Sequence, residues 1–183
     1  VRLSGWTLGY VTVNQLSFLV ITILAAGVGG VTAYAYAFAF FQLPYGLFAV
    51  SIMTTFEPDL AAMASDRDIR GFRARFLLGL RSLLVVILPA AAGCFVLARP
   101  LLESMTLIGN AFTATDAARI GGTLAMFALG LPGFSVYLYT LRAFYALKNT
   151  RFPFFMAIAQ NGLNVIFGLV LYQLDFGVQG LAF

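Results

Sequence analysis

The chain has 183 residues, of which 61% are hydrophobic and only 10% charged, against about 25% charged in ordinary soluble domains. A soluble domain of this size could not hide so much apolar surface, so the composition excludes that class and reads as a polytopic, all-α membrane protein. The net charge of +4 is no nucleic-acid signal, because arginines between apolar runs answer to membrane topology. One cysteine and no histidine exclude an intrachain disulfide and remove the commonest metal ligand and general base.

An apolar helix of about 20 residues crosses a bilayer's hydrocarbon core. The first span is predicted over 6–27, with Trp6 and Tyr10 as interfacial anchors. Asn14, Gln15, Ser17 and Thr22 give it more polar groups than a lipid-facing helix would carry, and Asn14 is a candidate lining residue of a substrate cavity. The uncharged turn 27–30 leads into the second span, 31–56, which carries no formal charge. Within it Gln42 is a second cavity candidate, and Pro44 with Gly46 marks a hinge. A carbonyl freed by proline in hydrocarbon must find another partner, so such a helix leans on neighbours or lines a cavity. The span is expected to stop at Glu57-Pro58-Asp59.

The next stretch is polar. Ile69, Phe72, Phe76 and Leu80 recur at helical spacing, while Arg67, Arg70, Arg75 and Arg81 fall largely away from them. This predicts an amphipathic cytoplasmic helix over about 66–76, lying in the headgroup plane. A solvated basic loop obeying the positive-inside rule is the plainer reading, and a lipid-regulatory segment the sharper one. The third span follows over 76–98, with Pro89 as a hinge candidate and Arg81 snorkelling to the interface or touching a headgroup.

A second polar connection covers 99–119, with Asn110 as its turn residue and Thr113 or Thr115 as the cap of the next helix. The fourth span is predicted over 120–141, with Pro132 and Gly133 as hinge candidates. Arg142 begins the connection that closes it; it snorkels or meets an anionic headgroup. The fifth span, 152–174, places Gln160, Asn161 and Asn164 on one face, continued by Gly168. These amides either glue helices together or line a cavity, so Asn161 and Asn164 are further candidates. A turn over 175–179 then leads to the start of a sixth span. Val1 is not methionine and Phe183 lies inside a new apolar run, so the chain reads as an internal fragment of one transmembrane transporter domain.

Of the 11 basic residues, all but Arg99 and Arg119 fall in alternate connections on one side. That bias puts the start of the chain in the cytoplasm of a multi-pass plasma (inner) membrane protein. Breaks recur at Leu43-Pro44-Tyr45-Gly46, Leu88-Pro89 and Leu131-Pro132-Gly133-Phe134, a pattern that points towards transporters built from repeats. No catalytic constellation is present: the seven carboxylates lie in connections or at span ends, and no phosphate-cradling glycine loop occurs. The chain is therefore read as no enzyme, with no cofactor, no metal and no nucleic-acid partner.

Several motifs carry a resemblance. Phe41-Gln42-Leu43-Pro44-Tyr45-Gly46-Leu47-Phe48-Ala49-Val50 is followed by Glu57-Pro58-Asp59-Leu60, then by Leu88-Pro89-Ala90, Asn110-Ala111-Phe112-Thr113 and Ala128-Leu129-Gly130-Leu131-Pro132. Most specific is Arg142-Ala143-Phe144-Tyr145-Ala146-Leu147 with Asn149-Thr150-Arg151-Phe152-Pro153. In this order and spacing they resemble the MviN/MurJ family of lipid II flippases, in a variant like the actinobacterial branch, over essentially the whole chain. The resemblance implies an all-helical transporter of the multidrug/oligosaccharidyl-lipid/polysaccharide exporter type, whose two six-helix halves alternate access around a central cavity. It places this chain at spans seven to eleven and the start of twelve. The implied substrate is the undecaprenyl-pyrophosphate-linked peptidoglycan precursor; the implied partners are membrane lipids, the remaining half of the transporter and cell-wall synthesis proteins. Many members carry an acidic-basic pair in span eight, which falls here on Phe38 and Ala39, and a nearby family carboxylate falls on Gln42. The alternatives are a drug or polysaccharide exporter of the same fold, and a membrane scaffold for cell-wall enzymes that does not transport.

Overall fold

The computed structural model describes residues 2–27, 30–108 and 113–173, and every regular element among them is a helix. In chain order these are α1 (Arg2–Gly27), α2 (Val31–Pro44), a π-helical stretch (Tyr45–Val50), α3 (Ser51–Ser65), α4 (Ile69–Ile108), α5 (Ala114–Ala146) and α6 (Arg151–Gln173). Five helical stretches are long and apolar enough to cross a membrane. The expected turns at Asn110 and at 175–179, and the start of a sixth span, lie outside the described residues.

The helices outrun the apolar segments that nucleate them. Helix continues through Glu57-Pro58-Asp59 to Ser65, where a stop is expected from the sequence. Pro58 sits at an exposed position, so the carbonyl it deprives of a donor has open surroundings. Likewise α4 is one unbroken helix of 40 residues, about 60 Å at 1.5 Å per residue, twice a bilayer's hydrocarbon thickness. Residues 69–76 are thus the first turns of α4, with no break that would make them a separate helix. Hydropathy sees only the apolar middle of such a helix, while arginine, alanine and leucine carry it onward at both ends.

Proline acts differently at each expected hinge. Pro89 and Pro132 lie inside uninterrupted helices. Pro44 alone is followed by a change of hydrogen bonding, the π-helical stretch, which begins as α2 ends. Such stretches absorb an extra residue per turn and cluster at functional positions. Gly46 lies within it, facing open space.

The helix ends are closed locally. Thr113 and Asp116 form a reciprocal capping box at the start of α5. The turns after α3 and α5 are both Schellman motifs: Asp68 N–H donates to Met63 O at 3.0 Å, and Asn149 N–H to Phe144 O at 3.0 Å. Arg67 and Lys148 take the left-handed position in them, at φ 58 and 53. A basic residue there tolerates the strained backbone where its charge complements the helix C-terminus.

Two units emerge. α4 and α5 form the most extensive pair, and with α2 and α3 they enclose a core that includes Met53, Leu60, Leu83, Ile87, Leu102 and Leu131. Buried Gly121, Gly122 and Thr123 bring α5 close to α4, as small residues do between membrane helices. A second pair, α1 with α6, joins this bundle only sparsely. Trp6 anchors that pair, 5.1 Å from the Phe154 ring, and the Arg151 guanidinium lies over it at 5.8 Å.

The tightest spot in the bundle is at Gly79. A side-chain carbon there would overlap the Tyr139 hydroxyl and come within 2.9 Å of the Phe56 ring. Tyr139 is fully buried, stacked on Phe76, and donates to Phe76 O at 3.3 Å. Gly79→Ala should therefore cost about 1–3 kcal/mol through overpacking, and Tyr139→Phe about 1 kcal/mol or less. Because the hydroxyl is the overlapping atom, the double variant should lose less than the sum, read from thermal unfolding in detergent. Strict additivity would show that α4 and α5 do not meet in this register.

Candidate functional site

The sparse seam between the two units holds a cavity of about 390 Å³, within the size range of small-molecule sites. Its walls differ in chemistry. α1 contributes Asn14, Ser17, Phe18 and Ile21, at the spacing of one helix face, and α6 contributes Gln160, Asn161 and Asn164. The facing wall is aromatic: Tyr34, Phe38 and Phe41 from α2, with Phe127 and Phe134 from α5. These rings form a continuous cluster, Phe41 lying tilted at 5.4 Å from Phe127 and 5.5 Å from Phe134. Among the described residues that line it, none is charged.

The amides divide their work. Asn14 donates to Tyr10 O at 2.9 Å in its own helix and accepts from Asn161 at 3.2 Å across the α1–α6 interface. Asn161 also donates to Ala157 O at 2.9 Å. Asn14 and Asn161 therefore glue the pair together while facing the cavity. Asn164 and Gln160 make no hydrogen bond among the described residues, so their donors and acceptors are open to a ligand. Gln42 is exposed and does not line this cavity; α2 turns Phe38 and Phe41 inward instead. Of the hinge candidates, Gly133 lines the cavity with open space at its Cβ position, while Pro132 is half-buried beside it.

The two arginine candidates also part ways. Arg142 donates to Glu57 at 2.7 Å, tying α5 to α3, so its charge is taken up within the protein. Arg75 pairs with Asp59 and lies 4.6 Å from the centre of the Phe56 ring, tying α4 to α3. Both pairs are partly solvent-exposed, so each is worth about 1 kcal/mol or less. Neither pairing is visible from sequence, where the partners stand 85 and 16 residues apart. Arg81 is exposed and has no ion pair among the described residues. The aromatic wall was not among the sequence-based candidates either, although Tyr34, Phe38 and Phe41 recur at the helical period that would have revealed it.

The chain is similar to known proteins in sequence and in fold. The chain is 33% identical over 147 residues to a lipid II flippase MurJ of Thermosipho africanus, covering 80% of this chain and 30% of that protein. It is 30% identical over 176 residues to a probable lipid II flippase MurJ of Aquifex aeolicus, covering 94% of this chain and 34% of the other. A solved lipid II flippase MurJ in an inward closed conformation superposes with a TM-score of 0.82 at 29% identity, covering 94% of this chain and 36% of that one. The chain thus spans about a third of the length of the relatives it matches. The family model described as lipid II flippase MurJ matches residues 1–183, and with five apolar spans this multi-pass membrane chain belongs to that family of transporters.

Proposed function

We propose that the chain is part of a flippase that moves an undecaprenyl-pyrophosphate-linked peptidoglycan precursor across the plasma membrane by alternating access. In this reading it works together with the remaining half of the same transporter, as a carrier and not as an enzyme. The observation that carries the reading is a cavity lined by four amides, two of them (Gln160 and Asn164) without a hydrogen bond among the described residues, at the sparse seam between two helical units of a lipid II flippase family member. A seam with few contacts can open and close at low cost, and alternating access requires packed units that rock around a site. Orientation follows the charge. Arg142, Arg75 and Arg151 gather with Glu57, Asp59 and Trp6 at one end of the bundle, and Arg99 packs beside Gly121 at the other. The richly basic end is assigned to the cytoplasm, and the start of the chain with it.

One observation favours a second reading. A pyrophosphate leaving water needs cationic or multiple hydrogen-bonding partners, and the cavity lining offers amides without charge. A membrane scaffold for cell-wall synthesis proteins would need no such partner. Complementation of a flippase-depleted strain separates the two. The full-length protein should restore growth, residues 1–183 alone should not, and co-expression with the missing remainder should recover it. Growth on residues 1–183 alone would place the whole substrate site within these helices, and failure of the full-length protein would favour the scaffold.

Within the cavity the two asparagines should behave differently. Asn161→Leu breaks the bond to Asn14 and should lower thermal stability by about 0.6 to 2 kcal/mol. Asn164→Leu breaks no hydrogen bond among the described residues, so it should leave stability and membrane levels near normal while reducing growth support at least tenfold in plating efficiency. Normal growth with Asn164→Leu would remove this amide from the transport route.

A further inference from the structure

The first turns of α4 carry a face that nothing in the proposed transport cycle uses. One residue advances a helix by 100°, so Arg70, Arg73, Leu77 and Arg81 lie within about 80° of arc, over about 16 Å of axis. All four are exposed. Arg75, on the other side of the helix, is turned inward to Asp59. The carboxylates of α3 are both taken, Asp59 by Arg75 and Glu57 by Arg142. In the turn before α4, Asp68 accepts the Gly71 N–H at 3.0 Å and is committed to the helix end, leaving the exposed Asp66 as the remaining acid there. Arg70, Arg73 and Arg81 consequently have no ion pair or hydrogen-bond partner among the described residues.

The same face changes character along its length. Beyond Arg81 it presents Val85 and Leu88, exposed at 72% and 52%. A row of guanidiniums that gives way to a row of branched apolar side chains matches one class of molecule, an anionic head on hydrocarbon chains. A guanidinium grips a phosphodiester through paired N–H donors. Arg81, set deeper, reaches back to the headgroup level along its own methylene stem. A soluble acidic partner would leave Val85 and Leu88 uncovered. We propose that this face of α4 is a binding site for an anionic phospholipid, with the phosphate held by Arg70, Arg73 and Arg81 and an acyl chain lying along Leu77, Val85 and Leu88. The proposal is independent of what the cavity carries.

The test is native mass spectrometry of the full-length protein in detergent, titrated separately with phosphatidylglycerol and phosphatidylcholine. Wild type should bind the anionic lipid more tightly. Each of Arg70→Gln, Arg73→Gln and Arg81→Gln should weaken phosphatidylglycerol roughly fivefold, and the triple variant on the order of 100-fold. Phosphatidylcholine affinity should not move, which also reports an intact fold. Lys148→Gln, at the same end of the bundle but off this face, should change neither. Undiminished phosphatidylglycerol affinity in the triple variant would overturn the proposal, as would an equal loss in Lys148→Gln, which would reduce the effect to net charge. Displacement of the lipid by soluble polyglutamate would assign the face to an acidic protein and overturn it too. Should the triple variant not accumulate, the three single variants carry the same test.

Discussion

Every backbone N–H and C=O that faces hydrocarbon must be bonded within its own helix, because no water is there to take its place. Much else follows from that constraint. Among the described residues all regular structure is helical. Side-chain hydroxyls turn back on their own helices, as Thr12 does to Leu8 O, Thr22 to Phe18 O and Thr140 to Val136 O. Where Pro44 removes a donor, the chain answers with a π-helical stretch rather than a break. Charges gather at the helix ends, and the two ion pairs that join α3 to α4 and α5 lie there, partly in solvent.

The same constraint explains how the interior is divided. With apolar surface on every side of a membrane helix, what distinguishes one neighbour from another is fit and hydrogen bonding. α4 and α5 meet through glycine and alanine on one face and the Gly79–Tyr139 contact. α1 and α6 meet through the Asn14–Asn161 bond and the Trp6–Phe154 contact. Between these two solutions the fit is poor, and the cavity is what remains. In the proposed function this is where movement is concentrated. On that proposal the amides and rings that face it would supply hydrogen bonds and stacking, and the charge that a pyrophosphate needs would come from the rest of the transporter.

What could be read from the sequence was whatever a single helix decides for itself. The positions of the five apolar runs, a threonine cap at Thr113 or Thr115, the shared face of Gln160, Asn161 and Asn164, and the disturbance at Pro44 all follow from spacing along one element. Helix ends were less legible, because α3 and α4 extend beyond their apolar runs on residues whose propensity hydropathy does not register. Pairings between helices were least legible. Nothing in the neighbourhood of Arg142 announces Glu57, and nothing near Gln42 says that α2 presents its rings to the cavity instead. The motif resemblance supplied the family where periodicity supplied only the class.

The most direct measurement is transport itself. Full-length protein reconstituted in vesicles with fluorescent lipid II on the inner leaflet should move it to the outer leaflet, seen as headgroup quenching by an impermeant reagent. Lipid-free headgroup trapped inside should stay where it is. Quenching no faster than in protein-free vesicles, with the protein shown to be folded and inserted, would contradict the account.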